Sequence, residues 1–545
     1  MNTKNNILLF AASVMLLTTS CDRYLDVQPD NRVMIDTPDK VQQLLINAYP
    51  NANYMLVTEL SADNYIDNNA PNSAGITHSL TSYNRMDDEI FAWRDPLDTD
   101  TDSPYDIWEK FYQSIASANA ALQAIDELIQ KGVSDDDLNN ILLPAKGEAL
   151  ILRAYSHFIL VNIFAQTYKD AETSKADMGV PYATKSATVI GTQYERNSVA
   201  EVYELIDKDI QAGIGLIRDG YYKVPKYHFN SKAAHAFAAQ FYLFKRDYPK
   251  VIENANYVLG ADPTASLRDW VTVYPNSDQI LYAYINVESP ANLLLIPTYS
   301  VFFRRNFPNN ARYCFNGDAF LGNIYDSGPT WSGTAPFYVG KLYLYDQTYG
   351  LFSPKIKELF EYTDRVAGIG YAHIVRTEYT TDATLLDRAE AYIYTGQIDK
   401  AVNDLETWNK SHRSSSKVPT TLTAAVIKSF YTPGKKYFSY TFNTEKLSPQ
   451  FIVTPEQKPF VDCVIHFRRL ERIFEGHRWF DIKRYGIELQ HKIGRSGTIE
   501  TLPYNDDRRA IQIPSDVIGA GITENPRTVP SPPANLTPQP LVDNN

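Results

Sequence analysis

The stretch Ile465–Gly486, IHFRRLERIFEGHRWFDIKRYG, limits the possible folds more than any other part of the chain. Phe467, Leu470, Ile473, Phe474 and Phe480 recur at three- and four-residue steps, the spacing of a helix that buries one stripe. Among them stand Arg468, Arg469, Glu471, Arg472, Glu475, Arg478, Asp481, Lys483 and Arg484, an unusual density of mixed charge for so aromatic a segment. Adjacent turns predict ion pairs between Arg472 and Glu475 and between Arg478 and Asp481. Gly476 should interrupt or kink the helix. His466 and His477 are eleven positions apart, too far along a helix for one metal ion and without the i, i+4 pattern of a two-His site. The segment therefore reads as a structural helix carrying a buried ion network, with no metal assigned.

A chain of 545 residues can bury a large core, and a formal charge of −12 argues against nucleic acid as a partner, because phosphate binding needs a basic face. At the N-terminus, Lys4, the apolar run Ile7–Leu17 and the small residues Thr18-Thr19-Ser20 precede Cys21. This is the layout of a signal peptide over residues 1–20, ending in a bacterial lipobox with Cys21 as the lipidated first residue. Thr18 stands where Leu is commoner. No later apolar run approaches the length of a transmembrane helix. Cys314 and Cys463 form no metal spacing and no redox motif, and read as a disulfide or, preferably, as two inert buried thiols.

Helix signals recur along the chain. Thr37-Pro38-Asp39 can cap a helix through Val41–Ala48, and Ser103-Pro104 opens another. Asp98, Asp100, Asp102, Asp106 and Glu109 match spacings of a calcium loop, but Ser103 holds the position that needs Gly, so the helix start is the better reading. Asn197-Ser198, Ser231 and Asp247-Tyr248-Pro249 open further helices. Leu385–Gly396 followed by Ile398–Trp408 reads as a tetratricopeptide-like helix pair. Residues 50–104 and 411–460 read as irregular. So does 261–383, with short strand-like runs at Ile280–Ile285 and Leu293–Ile296. The fold class is mainly α, an irregular tetratricopeptide-like helix-pair scaffold with long loops and a less regular insert.

Several motifs occur in a characteristic order. They are CDRYLDVQP from Cys21, Glu59 with Ala62-Asp63-Asn64, Trp108…Tyr112…Ile115…Asn119, GEALILRAY from Gly147, ERIFEGHRWFDIKR from Glu471, then Asp507-Arg508-Arg509 and Glu524-Asn525-Pro526. Together they resemble the SusD/RagB family of nutrient-binding surface lipoproteins. Gln512 and Glu524 replace the family's usual Pro and Gln. The resemblance divides the chain into a signal peptide (1–20), an N-terminal helical scaffold (21–260, with loop region 50–104), a loop-rich, ligand-facing insert (261–383) and a C-terminal region (384–545). It implies a lipid-anchored protein exposed on the outer-membrane surface, partnered with a SusC-like TonB-dependent transporter.

No G-x-S-x-G, H-E-x-x-H, phosphate loop or Rossmann fingerprint is present, and no cofactor is implied. A paired-acid glycosidase stays open on composition, because carboxylate separation belongs to the fold. Sugar capture needs flat aromatic faces beside hydrogen-bonding side chains. Loop aromatics supply the candidates: Tyr65 and Trp93 early, then Tyr299, Trp331 and Tyr338, with Arg304 and Asn309 as polar partners. Gly328-Pro329 and Ser332-Gly333 place Trp331 at a turn tip. The expected function is oligosaccharide capture without catalysis. Peptide capture of the RagB kind and surface glycoside hydrolysis are the alternatives.

Overall fold

The structure, a computed structural model, describes residues 35–527 except 73, 82, 186–193, 271–276, 307–310, 316–326, 333–342, 347–349, 413–420 and 433–439. The signal segment 1–20, Cys21 and residues 528–545 lie outside the described residues.

Packed helix pairs form the body. Pro104–Lys131 lies on Leu143–Phe164, which lies on Val199–Gly213. Ser231–Lys245 pairs with Tyr248–Leu259, and that helix with Thr381–Tyr394. Thr381–Tyr394 in turn contacts Ile398–Ser411 and Lys458–Glu471. The mainly α helix-pair scaffold is the one the sequence predicts. Local chemistry sets the helix starts: Thr37, Ser103 and Asp247 each cap the backbone ahead of a Pro in the first turn. Ser198 and Glu201 form a full capping box. Asn230, one residue before the expected Ser231, caps its helix.

Leu143–Phe164 is buried almost all round, so it must be covered on every side. Gly147 makes one of these contacts possible: a Cβ there would stand 2.9 Å from the Gly213 carbonyl oxygen and 3.0 Å from the Ile217 nitrogen. One contiguous cluster of buried side chains draws on residues from Val41 to Ile513. No helix among the described residues is long and apolar enough to cross a membrane.

The structure departs from expectation in three places. The 50–104 segment is not simply loop, since it holds the helices Met55–Ser61 and Arg85–Phe91. Its polar residues misled because they cap and hydrogen-bond inward: Asn84 and Asp87 form a capping box, and the Asn53 side chain accepts from the Met55 N–H. The Ile280–Ile285 run belongs to the helix Ser277–Tyr284, with Ile280, Leu281 and Tyr284 turned inward at helical spacing. A short apolar run cannot by its pattern alone tell strand from buried helix. Leu293–Ile296 does lie in a strand. Asn292–Thr298 pairs antiparallel with Ile369–Thr380, which also pairs with Leu359–Asp364.

The third departure is one ion pair of the closing segment. As Gly476 predicts, the segment is interrupted: two helices, Lys458–Glu471 and Arg478–Tyr485, are separated by a break where Phe474 and Gly476 take φ of 63° and 76°. Arg472 meets Glu475 at 2.8 Å as expected. Arg478 instead forks the Asp63 carboxylate at 2.8 and 2.9 Å, while Asp481 accepts from Arg468 (3.1 Å) and Arg484 (3.0 Å). The break makes Arg478 the first residue of a new helix, and side chains there lean toward the helix N-terminus, away from Asp481. Arg468 also lies 2.7 Å from Glu390, which Arg484 contacts too. Burial alone would push the Glu390 carboxyl up, but the two guanidinium groups outweigh it and hold it at about 2. Lys483 donates to the Asn162 and Ala165 carbonyls at 2.6 and 2.7 Å, which terminates the Leu143–Phe164 helix. Cys314 and Cys463 are buried thiols not joined in a disulfide, and burial raises both, Cys314 to about 12.

Candidate functional site

Three of the loop aromatics face the core. Tyr65 is 2 % exposed and packs edge-on against Phe315 at 4.8 Å. Trp93, 5 % exposed, stacks on His491 at 4.1 Å and donates its Nε1–H to the Ser61 carbonyl at 3.0 Å. Trp331 does sit beside a tight turn, between the paired strands Ser327–Gly328 and Trp331–Ser332. Its ring nevertheless folds back across Gly328 and lies against His466 and Phe467, leaving it 6 % exposed. A ring no more than 6 % exposed offers no open face to a sugar, so these three are corrected to packing residues. Asn309 and Tyr338 lie outside the described residues.

Tyr299 and Arg304 remain at the surface, and the structure brings them to one place. The Asn292–Thr298 strand ends opposite Ile374, so Tyr299 emerges beside the outer half of Ile369–Thr380, where burial gives way to exposure. There its ring meets Tyr371 edge-on at 4.9 Å. Five residues on, Arg304 grips Glu358 at 2.7 and 3.0 Å with a two-pronged contact, just before the edge strand Leu359–Asp364. Tyr371 donates its hydroxyl to Glu361 across that strand pair at 2.9 Å, and this bond to a carboxylate raises the phenol above its usual range. Register explains the grouping: Glu361 lies opposite Tyr371 and Leu359 opposite His373, so Glu361, Tyr371 and His373 share one face of the hairpin. Phe360 and Tyr362 occupy the other face, about half exposed, at 4.9 Å from each other.

Buried polar groups hold this surface in place. Asp102, in the acidic loop considered for calcium, has φ of 67° and is fully buried. Its carboxylate accepts from the Ser300 hydroxyl and the Val301 N–H, both at 2.8 Å, and its burial pushes its carboxyl up to about 7. Ser103 caps the following helix, as the sequence predicts. The Asn51 side chain accepts from the Tyr299 N–H at 2.7 Å. Chemically, the surface offers ring faces for apolar C–H groups and, at their edge, a guanidinium and two carboxylates for hydroxyls.

Tyr371, Glu358 and Glu361 are absent from the sequence candidates. A signal for them exists: Leu359–Asp364 and Ile369–His373 flank Asp364-Arg365-Val366-Ala367-Gly368, where the Asp364 carboxylate accepts from the Val366 and Ala367 N–H groups. A second concavity of about 540 Å³ lies elsewhere, between Pro104–Lys131 and the Pro181–Lys185 and Asp516–Ile522 segments. Trp108, Tyr112 and Tyr194 line it.

Residues 23–243 match the family model SusD-like_3, described as starch-binding associating with outer membrane. No curated protein matches the chain. Among solved structures, a SusD superfamily protein from Bacteroides thetaiotaomicron is 16% identical, with a TM-score of 0.60 over 90% of this chain and 100% of that one. From Bacteroides vulgatus, a putative sugar binding protein is 17% identical (TM-score 0.61, covering 91% and 99%). A SusD superfamily protein of the same species is 18% identical (TM-score 0.61, covering 90% and 99%). The family match thus covers the N-terminal part of the chain, and along nine-tenths of its length the chain shares the fold of these SusD superfamily structures.

Proposed function

We propose that this chain binds oligosaccharide at the outer-membrane surface, anchored through Cys21, and passes it to a SusC-like TonB-dependent transporter without cleaving it. The description of the matching family and the sugar-binding name of one structural neighbour support this reading. The observation that carries it in this chain is the exposed Tyr299–Tyr371 ring pair beside the Arg304–Glu358 fork. A glycan array on the purified protein, followed by calorimetry on the hits, tests it. Each aromatic contact contributes about 0.5–1.5 kcal/mol, so Tyr299→Ala and Tyr371→Ala should each weaken binding roughly 2- to 12-fold. Unchanged affinity in both variants would move the site elsewhere, with the Tyr194 groove tested next. Deleting either this gene or its transporter should abolish growth on the bound glycan.

One observation favours peptide as a second reading. Among the described residues Leu359–Asp364 is the edge strand of its sheet, and its outer side can add an extended peptide as a further strand. Binding to a peptide pool with no response to any glycan would establish that alternative.

A further inference from the structure

Away from this surface, three fully buried side chains converge from three helix ends. Asp382 lies in the first turn of Thr381–Tyr394, His412 directly follows Ile398–Ser411, and Glu471 is the last residue of Lys458–Glu471. Among the described residues this is the grouping of His, Cys, Asp and Glu whose donor atoms all lie within 4.8 Å of one another. From these positions we propose that Asp382, His412 and Glu471 form a binding site for one divalent first-row cation, zinc foremost.

The tautomer of His412 is the central observation. Its Nδ1 lies 2.7 Å from the Trp408 carbonyl oxygen, which can only accept, so Nδ1 carries the ring proton. In the neutral ring, Nε2 is then a lone pair. That lone pair faces the Glu471 carboxylate at 2.9 Å and the Asp382 carboxylate at 3.8 Å. Three electron-rich atoms held together in the buried interior repel one another unless something positive stands among them. An Nδ1–H bonded to a backbone carbonyl, with Nε2 turned to the ion, is also how a metal-binding histidine is oriented.

Distance and charge agree with a metal. Donors at zinc bond lengths in a tetrahedron lie about 3.3 Å apart, and the two separations from Nε2 fall on either side of that value. A neutral imidazole with two carboxylates carries two negative charges, which a divalent cation balances. Lys355, bonded to Glu475 at 2.6 Å, and Arg268, bonded through its side chain to Asn292, also favour the ionised Glu471 and Asp382 carboxyls, which keeps both available as ligands. Outer contacts fix the ligands. The Arg268 N–H donates to both Asp382 oxygens at 3.2 Å, Trp408 Nε1–H donates to Glu471 at 2.9 Å, and the Trp408 ring stacks on His412 at 4.1 Å. One imidazole and two carboxylates suit zinc or manganese rather than copper(I), which favours sulfur. The proposal stands apart from the glycan-binding surface and does not depend on it.

Elemental analysis of the intact mature protein, purified without chelator from zinc-supplemented cells, is the test. One equivalent of zinc per chain is expected. After stripping with EDTA, readdition of zinc should raise the thermal midpoint, and cobalt(II) should give the visible bands of a tetrahedral N,O site. Asp382→Asn and His412→Gln should lose the metal, while His235→Gln should keep it. Less than about a tenth of an equivalent, with no midpoint shift from zinc, manganese or cobalt, would overturn the proposal. So would an unaltered metal content in folded Asp382→Asn. Nitrogen NMR showing His412 doubly protonated in zinc-saturated buffer would likewise leave a buried imidazolium as the occupant. The strip-and-restore arm uses only the native chain, so a variant that fails to fold does not remove the test.

Discussion

Replacing Gly476 by Ala should be among the most damaging single-atom additions to this chain. Gly476 has φ of 76°, in the left-handed region, which costs a residue with a Cβ about 1–2 kcal/mol. The added carbon would also stand 2.2 Å from Thr58 Oγ1 and 3.0 Å from Met55 Cα. Neither atom is free to retreat. Thr58 is fully buried with its hydroxyl bonded to the Tyr54 and Met55 carbonyls, and Met55 Cα belongs to a helix backbone. Overpacking of this kind adds about 1–3 kcal/mol. Any shift that relieves it also disturbs the Gly476 N–H bond to Glu59 at 2.8 Å, for about 1 kcal/mol more. The total is about 3–6 kcal/mol, a large fraction of the stability of an ordinary protein. Guanidinium unfolding followed by tryptophan fluorescence, with the loss read from the midpoint at constant slope, measures it. A double-mutant cycle with Thr58→Ala separates the contributions: coupling of about 1–2 kcal/mol should return, while the backbone strain remains. A loss under about 1 kcal/mol in Gly476→Ala, or full recovery in the double variant, would refute the argument.

Trp93→Ala and Trp331→Ala should each cost about 3–5 kcal/mol of stability while leaving the glycan affinity of the folded protein unchanged; a selective loss of affinity would restore them to the binding surface. Burial raises the Glu59 carboxyl from 4.5 to about 7, so its stabilising contribution is complete below pH 4.5 and is lost as pH rises through 7. Wild type should therefore lose about 3 kcal/mol relative to Glu59→Gln between pH 4.5 and 8, and parallel stability curves would contradict this. Glu390 behaves oppositely. Held at about 2, it contributes above pH 4.5 and ceases to do so as pH falls through 2. Glu390→Gln should cost about 3–5 kcal/mol at neutral pH because it leaves Arg468 and Arg484 undercompensated, with the gap closing in acid. A gap that stays constant with pH would count against that assignment.

Much of the scaffold was legible in the chain because the relevant forces are local. A Ser ahead of a helix and a Pro in its first turn act within a few residues, so Asn197-Ser198 and Ser103-Pro104 read true. The closing segment also announced that its charges had to be paired inside the core, and it contained its own interruption at Gly476. The choice of partners was not legible. Arg478 finds Asp63, 415 positions away, because a helix break redirects it, and no local spacing encodes that contact. Burial is likewise a tertiary property: a Trp between Gly, Pro and Ser reads the same whether its ring faces water or folds back, as Trp331 does, onto His466 and Phe467. The surface proposed for binding exists only because strand pairing brings 299–304 beside 358–373, and Tyr371 shares a face with Glu361 through that register. The sequence by itself therefore determined the helices, their ends and the need for an internal ion network. The tertiary structure alone decided which aromatics remain at the surface and which charges meet, because both depend on packing between segments that are distant along the chain.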